Sequence, residues 1–153
     1  MRLAGQYTFR RRILAGVTIV ALACATAAIS SDEIVLVANS GVSENEVSDQ
    51  QAQDVFLGKK ALWSDGSAII LATLSGGAVH EAFLKTFVGR TPSQFSTYWK
   101  KLAFSGKAME PKAFDTEAEL LKFVAERKGA VGYVSSKAAE SKDAIAGCKI
   151  LTK

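Results

Sequence analysis

Short apolar runs alternate with capped helical segments along most of the chain, and this order constrains the fold more than any other feature. The apolar runs are rich in Val, Ile and Leu, which is typical of buried strands. Helical segments between them begin at Ser or Thr caps. This alternation predicts an α/β fold in which helices cover both faces of a mainly parallel sheet. The predicted strands are 33–38, 68–74, 130–134 and 148–151.

Three capping boxes mark predicted helix starts. Ser48, Thr91 and Thr116 are each followed three residues later by Gln or Glu, so the two side chains of each box can satisfy free N–H groups reciprocally. Pro92, at the first helical position, strengthens the second start. Glycines follow the predicted ends, where the chain adopts the left-handed conformation. The predicted helices are 48–57, 78–88, 92–105 and 116–128, followed by Gly58, Gly89, Gly106 and Gly129.

The first 27 residues have the pattern of a secretory signal peptide. Arg10–Arg12 precede an apolar run over 13–23, and small residues follow. Cleavage after Ala27 leaves residues 28–153 as one α/β domain and predicts a periplasmic or otherwise exported protein. Three alternatives stay open: a membrane-spanning helix over 13–31, lipid anchoring at Cys24 without the usual Leu three residues earlier, and a twin-arginine signal.

Charge and cysteine content exclude several classes of protein. Four of the 19 basic residues lie in the signal segment, so the mature chain carries 15 basic and 15 acidic side chains. Without a net charge or a basic stripe, the chain is not expected to bind nucleic acid. Cys148 is the one cysteine of the mature chain unless Cys24 is lipidated, so no disulfide framework is expected.

A catalytic centre is difficult to assemble from this composition. His80 is the one histidine, and the mature chain has no His/Cys metal cluster. Nothing around Cys148 indicates an activated thiol, so a nucleophile pair with His80 is disfavoured. Asp115, Glu117 and Glu119 fit the first turn of a helix, where carboxylates interact with the helix dipole. We therefore expect a protein that is not an enzyme and uses no cofactor or metal.

The junction Ser75–Gly77 is the feature that suggests binding. It joins the predicted strand 68–74 to a helix that begins at Ala78, so several backbone N–H groups point outward together at the positive end of the helix. Glycine lets a ligand approach the backbone, Ser75 can add a hydroxyl, and His80 can add a proton or a charge. The alternative is an ordinary strand-to-helix corner with His80 exposed.

Two longer stretches resemble a known family. The first has the pattern F-x-G-x-x-x-x-W-x-D, carried by Phe56, Gly58, Trp63 and Asp65. The second comprises Trp99, the sequence FSGKAMEP and, after a predicted helix, GAVGYVS at 129–135. In this order the chain resembles the phosphate-type periplasmic substrate-binding proteins of ABC transporters, and in particular their short stand-alone PBP-like domain proteins. The resemblance covers roughly residues 34–136.

The resemblance implies one α/β lobe, the second, of a protein type whose full-length members hold their ligand between two lobes. Members that bind phosphate carry Ser-Gly-Thr at this helix start and an Arg four residues before the Ser. Here Gly77 replaces the Thr and Leu71 stands in the place of the Arg, so a hydroxyl and a charge-assisted contact are missing. Losing one such hydrogen bond costs about 1.5–3 kcal/mol, so only weak binding is expected.

Two functions follow as hypotheses. The first is an exported solute-binding-like domain, linked by the resemblance to ABC-type phosphate uptake. It binds phosphate or another oxyanion weakly on the N–H groups of Gly76, Gly77 and Ala78, with the Ser75 hydroxyl and His80 nearby. The second is an accessory or protein-interaction module of the cell envelope that has lost ligand binding. Its partner would be a membrane permease, another envelope protein or a second copy in a homodimer, and it predicts apolar side chains around Ser75 and along the loop 39–47.

Overall fold

The computed structural model describes residues 33–152, which form a five-stranded sheet with helices packed against it. The strands are β1 (Ile34–Asn39), β2 (Ile70–Leu74), β3 (Lys112–Phe114), β4 (Ala130–Ser135) and β5 (Cys148–Leu151). The helices are α1 (Asp49–Phe56), α2 (Ala78–Phe83, continued by the π-helical turn Leu84–Val88), α3 (Pro92–Phe104), α4 (Glu117–Glu126) and α5 (Ser136–Ala139). None of these helices is long and apolar enough to cross a membrane. The predicted signal peptide and Cys24 lie outside the described residues.

The strand order is β3-β2-β4-β1-β5, and four of the five strands run in the same direction. β2 pairs in parallel with β3 and β4, whereas β1 pairs antiparallel with β4 and β5. The predicted α/β fold with a mainly parallel sheet is confirmed, and β1 is the strand of opposite direction. Helical crossovers join β2 to β3 and β3 to β4, which returns the chain to the same end of the sheet each time. β1 runs in the opposite direction to β2 and ends at the edge where β2 begins, so the segment containing α1 need not cross to the other end.

Successive residues of β4 show that helices cover both faces of the sheet. Tyr133 stacks on Phe83 of α2 with ring centroids 3.7 Å apart, and Phe56 of α1 packs edge-on against the same ring. A Cβ on Gly132, the preceding residue, would lie 2.7 Å from Leu120 of α4. Because neighbouring strand residues point to opposite faces, α1 and α2 lie on one face and α4 lies on the other.

Two of the three predicted capping boxes are complete. At Ser48 and Thr91 the hydroxyl accepts from the backbone N–H three residues later. The Gln side chain at that position accepts from the backbone N–H of the cap residue. At Thr116 the hydroxyl accepts from the N–H of Glu119 at 3.2 Å, which forms one half of the box. Local sequence therefore determines where these helices begin.

Gly129 has a different role from the predicted helix cap. Helix α4 ends at Glu126, and Arg127 is already extended, so the helix stops two residues before the predicted end. Gly129 has φ +81°, and a Cβ there would lie 2.2 Å from the carbonyl oxygen of Ala68. Its own carbonyl accepts from the Trp63 indole N–H at 2.9 Å. The glycine therefore lets the segment before β4 approach the segment before β2.

Strands β5 and β3 differ in how well the sequence predicts them. The apolar run at 148–151 forms β5 as predicted, beside β1. The sequence predicts a loop at 106–115 with a short extended piece as an option, and residues 112–114 form β3 at the edge of the sheet. Three residues are too few to show a strand period, so β3 is defined by its pairing with 72–74.

Candidate functional site

Three strand ends and three helix starts meet at one edge of the sheet. β2 ends at Leu74, β3 at Phe114 and β4 at Ser135, and α2, α4 and α5 begin soon after these residues. Since the three strands run in the same direction, the positive ends of the three helices lie along one edge. This carboxyl edge is the usual position of a ligand site in α/β proteins.

Of these three helix starts, that of α2 has no side-chain cap. The Thr116 hydroxyl accepts from a backbone N–H in the first turn of α4, and the Ser135 hydroxyl does the same for α5. Gly77 occupies the corresponding position before α2 and has φ 92°, a conformation that favours glycine. The first N–H groups of α2 are therefore not satisfied by a cap.

Ser75, Gly76, Gly77 and Ala78 lie together and are exposed. The Ser75 N–H donates to the carbonyl oxygen of Phe114 at 2.8 Å, which fixes the junction to β3. Within residues 33–152, no acceptor contacts the N–H groups of the next three residues. Three consecutive donors are thus open to solvent at the positive end of a helix.

The Ser75 hydroxyl donates to Asp115 Oδ1 at 2.8 Å. Asp115 directly follows β3 and is exposed. Its carboxylate places a negative charge at the Ser75 hydroxyl, where it would repel a fully ionised anion and could accept a hydrogen bond from a protonated one. The two residues are 40 positions apart, and only the pairing of β2 with β3 brings them together. Sequence reasoning assigned Asp115 to the helix dipole and did not connect it with Ser75.

His80 is buried, with 6% of its surface accessible, so the alternative that places it on the surface is wrong. Its Nδ1 lies 2.5 Å from the Tyr133 hydroxyl oxygen, which also accepts from the Leu74 N–H at 3.0 Å. All three groups are satisfied when the Tyr133 hydroxyl donates to Nδ1, and in that tautomer the imidazole carries its own proton on Nε2. Burial lowers the pKa of His80, which keeps the ring neutral at pH 7. In this state the ring adds no positive charge to the junction.

A small cavity lies between the end of β2, α3 and the loop before β3, with a volume of about 160 Å³. Its lining includes Ser75, His80, Phe95 and Glu110. Among the described residues His80 Nε2 has no partner, and it is not fully enclosed, so its N–H faces this cavity. The cavity is smaller than the roughly 300–1,000 Å³ of most small-molecule sites. Gly76–Ala78 do not line it, so the open donors form a separate, shallower surface.

Leu71 stands where the resemblance places an Arg in phosphate-binding members. It is 9% accessible and packs in the hydrophobic core. The side chain at this position therefore offers an anion neither a charge nor a hydrogen bond.

Other chemistry is poorly supported by the described residues. No group of three or more His, Cys, Asp or Glu side chains between residues 33 and 152 could hold a metal ion. Burial raises the pKa of the Cys148 thiol, which donates to the carbonyl oxygen of Leu121 at 3.4 Å. A thiol in this environment has less thiolate at neutral pH than a free cysteine, so it is a poor nucleophile.

A mainly parallel sheet between helices, with one strand of opposite direction, is the fold of one periplasmic-binding-protein-type lobe. No protein-family model matches the chain, and no curated protein matches it significantly. The likeness is therefore one of structure. Solved structures that match include phosphate transport receptors and phosphate ABC transporter substrate-binding proteins.

Three of these structures illustrate the likeness. The PstS of Borrelia burgdorferi has a TM-score of 0.61 at 12% identity, covering 79% of this chain and 47% of that one. A putative phosphate ABC transporter substrate-binding protein from Clostridium perfringens, solved with bound phosphate, has a TM-score of 0.60 at 17% identity, covering 78% of this chain and 44% of that one. An ABC-type phosphate transport receptor from Vibrio cholerae has a TM-score of 0.58 at 12% identity, covering 78% of this chain and 45% of that one. The chain spans less than half the length of these proteins and shares the fold of that part.

Proposed function

We propose that the chain is a solute-binding-like domain that binds phosphate or a similar oxyanion weakly at the start of α2. The observation that carries this proposal is the set of three exposed, uncapped N–H donors at Gly76, Gly77 and Ala78. Oxyanions bind where consecutive N–H groups and the positive end of a helix coincide. The structural neighbours support the choice of ligand, because one of them was solved with bound phosphate.

Asp115 gives the proposed site a preference among oxyanions. Phosphate retains a proton near neutral pH, whereas sulfate has none. A P–OH group can donate to the Asp115 carboxylate while the other phosphate oxygens accept from the backbone N–H groups. Sulfate brings two negative charges and no proton to the same carboxylate, and the charges repel. We therefore expect phosphate to bind more tightly than sulfate.

The affinity is expected to be low for two reasons. The donors are exposed, so water competes for them and little ligand surface is buried. Leu71 stands in the place of an Arg, so the site lacks one charge-assisted hydrogen bond to the anion, which would contribute about 1.5–3 kcal/mol to binding. A dissociation constant in the millimolar range, which corresponds to about −4 kcal/mol, is consistent with both losses.

Export and a role beside a membrane permease belong to the same proposal. The signal-peptide pattern of residues 1–27 supports export to the periplasm or beyond the membrane. The likeness to an ABC-type phosphate transport receptor supports a role in solute uptake. A permease would then be the protein partner of this domain.

The accessory-module hypothesis predicts an apolar surface around Ser75 and along the loop 39–47. Val42 and Val47 of that loop are buried, and the loop follows β1, whose direction places it at the opposite edge of the sheet. Among the described residues, the large hydrophobic side chains that are exposed are Leu62, Phe104, Met109 and Ile150. None of these belongs to the β2–α2 junction. The surface at Ser75 is therefore better suited to a small polar ligand than to a protein partner.

Backbone amide shifts test the proposed function directly. The ¹⁵N-labelled protein is titrated with phosphate and with sulfate at constant ionic strength, and the amides of Gly76–Ala78 are followed. We expect these amides to shift progressively and to saturate in the millimolar range, with phosphate saturating first. Unchanged amide positions at Gly76–Ala78 up to tens of millimolar phosphate would refute the proposal.

A further inference from the structure

A wide groove opens beside the first half of β2, at the end of that strand opposite to Ser75. β3 pairs with β2 from Ala72 onward, so 69–71 have no strand neighbour on that side within the described chain. The turn at 58–61, the loop 107–111 and the last turns of α4 surround the opening. We call this the basic groove. Its volume is about 590 Å³, which lies within the roughly 300–1,000 Å³ typical of small-molecule sites.

Much of the lining of the basic groove is apolar. Ile69, Ile70 and Phe123 are partly buried and pack against the hydrophobic core below them. Met109, on the loop before β3, is 91% exposed at the same groove. Apolar surface that stays in contact with water is stabilised when a hydrocarbon group covers it. The groove can therefore accept the apolar part of a ligand.

Four cations and one carboxylate line the same groove: Lys60, Lys107, Lys112, Arg127 and Glu110. Lys112 Nζ and Arg127 Cζ lie 5.0 and 5.9 Å from the centre of the Phe123 ring, so two positive charges share one ring. Lys60 lies 3.7 Å from a carboxylate oxygen of Glu44. The other three cations form no ion pair within residues 33–152. The groove therefore carries uncompensated positive charge beside apolar surface.

We propose that the basic groove binds an amphipathic anion. Its carboxylate or phosphate head lies between Lys112 and Arg127, where it offsets the repulsion between the two cations. Its hydrocarbon body covers Ile69, Ile70 and Phe123. Inorganic phosphate lacks such a body, and the start of α2 lies at the other end of β2, so this site is independent of the oxyanion site proposed above.

Titration with four decyl compounds tests this proposal. Decanoate and decyl phosphate carry the same chain under two different anionic heads, whereas decanol and decyltrimethylammonium carry it without negative charge. The ¹⁵N-labelled protein is titrated with each compound below its critical micelle concentration. We expect one or both anions to shift the amides of Ile69–Leu71 and to bind about tenfold more tightly than either uncharged or cationic control. The preferred anionic head then distinguishes a carboxylate ligand from a phosphate ligand.

Charge variants locate the head group. Lys112→Gln and Arg127→Gln are each expected to weaken anion binding about threefold, and the double variant about tenfold. Lys122→Gln, at an exposed position of α4 that does not line the groove, is the matched control and should bind as the wild type does. Affinity for both decanoate and decyl phosphate no higher than that for decanol, unchanged affinity in the double variant, or the absence of shifts at Ile69–Leu71 would overturn the proposal. None of these results depends on phosphate binding at α2.

Discussion

The Tyr133 hydroxyl joins His80 to the end of β2. It lies 2.5 Å from His80 Nδ1, and it accepts from the Leu74 N–H at 3.0 Å. Burial raises the pKa of Tyr133, so the hydroxyl keeps the proton that it donates to the imidazole. The same tyrosine ring stacks on Phe83. The hydrogen bond to His80 fixes the first turn of α2, and with it the exposed donors of the preceding residues, to the carboxyl edge of the sheet, and the stacking holds the last residue of the helix.

Replacing Tyr133 by Phe is expected to lower the free energy of unfolding by about 2–3 kcal/mol, because the Leu74 N–H and His80 Nδ1 both lose a buried partner. Urea unfolding at neutral pH measures this change. Tyr98→Phe is the control, since the Tyr98 hydroxyl makes one partly buried bond to the Leu57 carbonyl, and its loss should cost about 1 kcal/mol. A cost at Tyr133 no larger than that at Tyr98 would show that the hydroxyl does not fix the helix.

The free energy of unfolding should fall as the pH is lowered through the titration range of His80. Burial lowers the pKa of His80 below its ordinary value of 6.5, although the nearby Glu81 charge raises it in part. The unfolded chain therefore binds more protons than the folded chain below about pH 6.5, so acid favours unfolding. Asn at position 80 offers an amide oxygen to Tyr133 and does not titrate. We expect the urea midpoint to fall between about pH 7.5 and 5 in the wild type, and to fall less in His80→Asn.

The two carboxylates whose pKa is lowered in the folded protein titrate below the pH range of that experiment, so they do not account for the expected fall. Hydrogen bonds from Ser43 and Ser64 lower the pKa of Glu44 from 4.5 against the opposing effect of burial, and those from Ser67 lower the pKa of Asp65 from 3.8. Their contributions to stability are present above those ordinary values and are lost at lower pH. An equal fall of the midpoint in His80→Asn would contradict the assignment to His80.

Gly129→Ala is expected to destabilise the fold more than Gly66→Ala. Both glycines have φ +81°, so both substitutions place a Cβ in the same unfavourable backbone conformation, at a cost of about 1–2 kcal/mol. Nothing lies within 4 Å of a Cβ at Gly66, whereas at Gly129 the Ala68 carbonyl oxygen would be 2.2 Å away. We expect an additional loss of about 2 kcal/mol at Gly129, measured by urea unfolding. Equal losses would mean that the segments before β2 and β4 separate at little cost.

Local signals in the sequence predicted the helices and most strands. The hydroxyl caps at Ser48, Thr91 and Thr116 act within four residues, so no tertiary information is needed to find them. The direction of β1 and the existence of β3 depend on pairing with distant strands. Neither leaves a clear local pattern, so sequence reasoning did not predict the direction of β1 and allowed for β3 only as a short extended piece in a loop.

The same distinction applies to the candidate site. The glycines after β2 predicted a helix start with open donors, because backbone freedom at Gly77 is a local property. The contact of Ser75 with Asp115 spans 40 residues, and that of His80 with Tyr133 spans 53. Only the folded sheet brings these pairs together. The chemistry next to the donors, a carboxylate on one side and a neutral imidazole below, therefore had to come from the structure.

Ala78→Pro should weaken phosphate binding while leaving the fold intact. Ala78 is the first residue of α2, where proline is tolerated because the helix does not use that N–H. The variant removes one of the three open donors, so we expect about a tenfold loss of phosphate affinity. Ala78→Ser keeps the N–H and is the matched control. Wild-type affinity in a folded Ala78→Pro protein would exclude this donor from the site.

Asp115→Asn should reduce the preference for phosphate over sulfate. The Asp115 carboxylate accepts from the Ser75 hydroxyl, and in the proposed site it would repel sulfate and accept a hydrogen bond from protonated phosphate. The amide of Asn carries no charge, so sulfate affinity is expected to rise about threefold or more, whereas phosphate gains less because the amide oxygen is a weaker acceptor for its P–OH group than the carboxylate is. Glu119→Gln removes an exposed charge from the first turn of α4 and controls for the general electrostatic field. Titration of Gly76–Ala78 amides with both anions measures the ratio; the same ratio in Asp115→Asn and wild type would show that Asp115 does not select the anion.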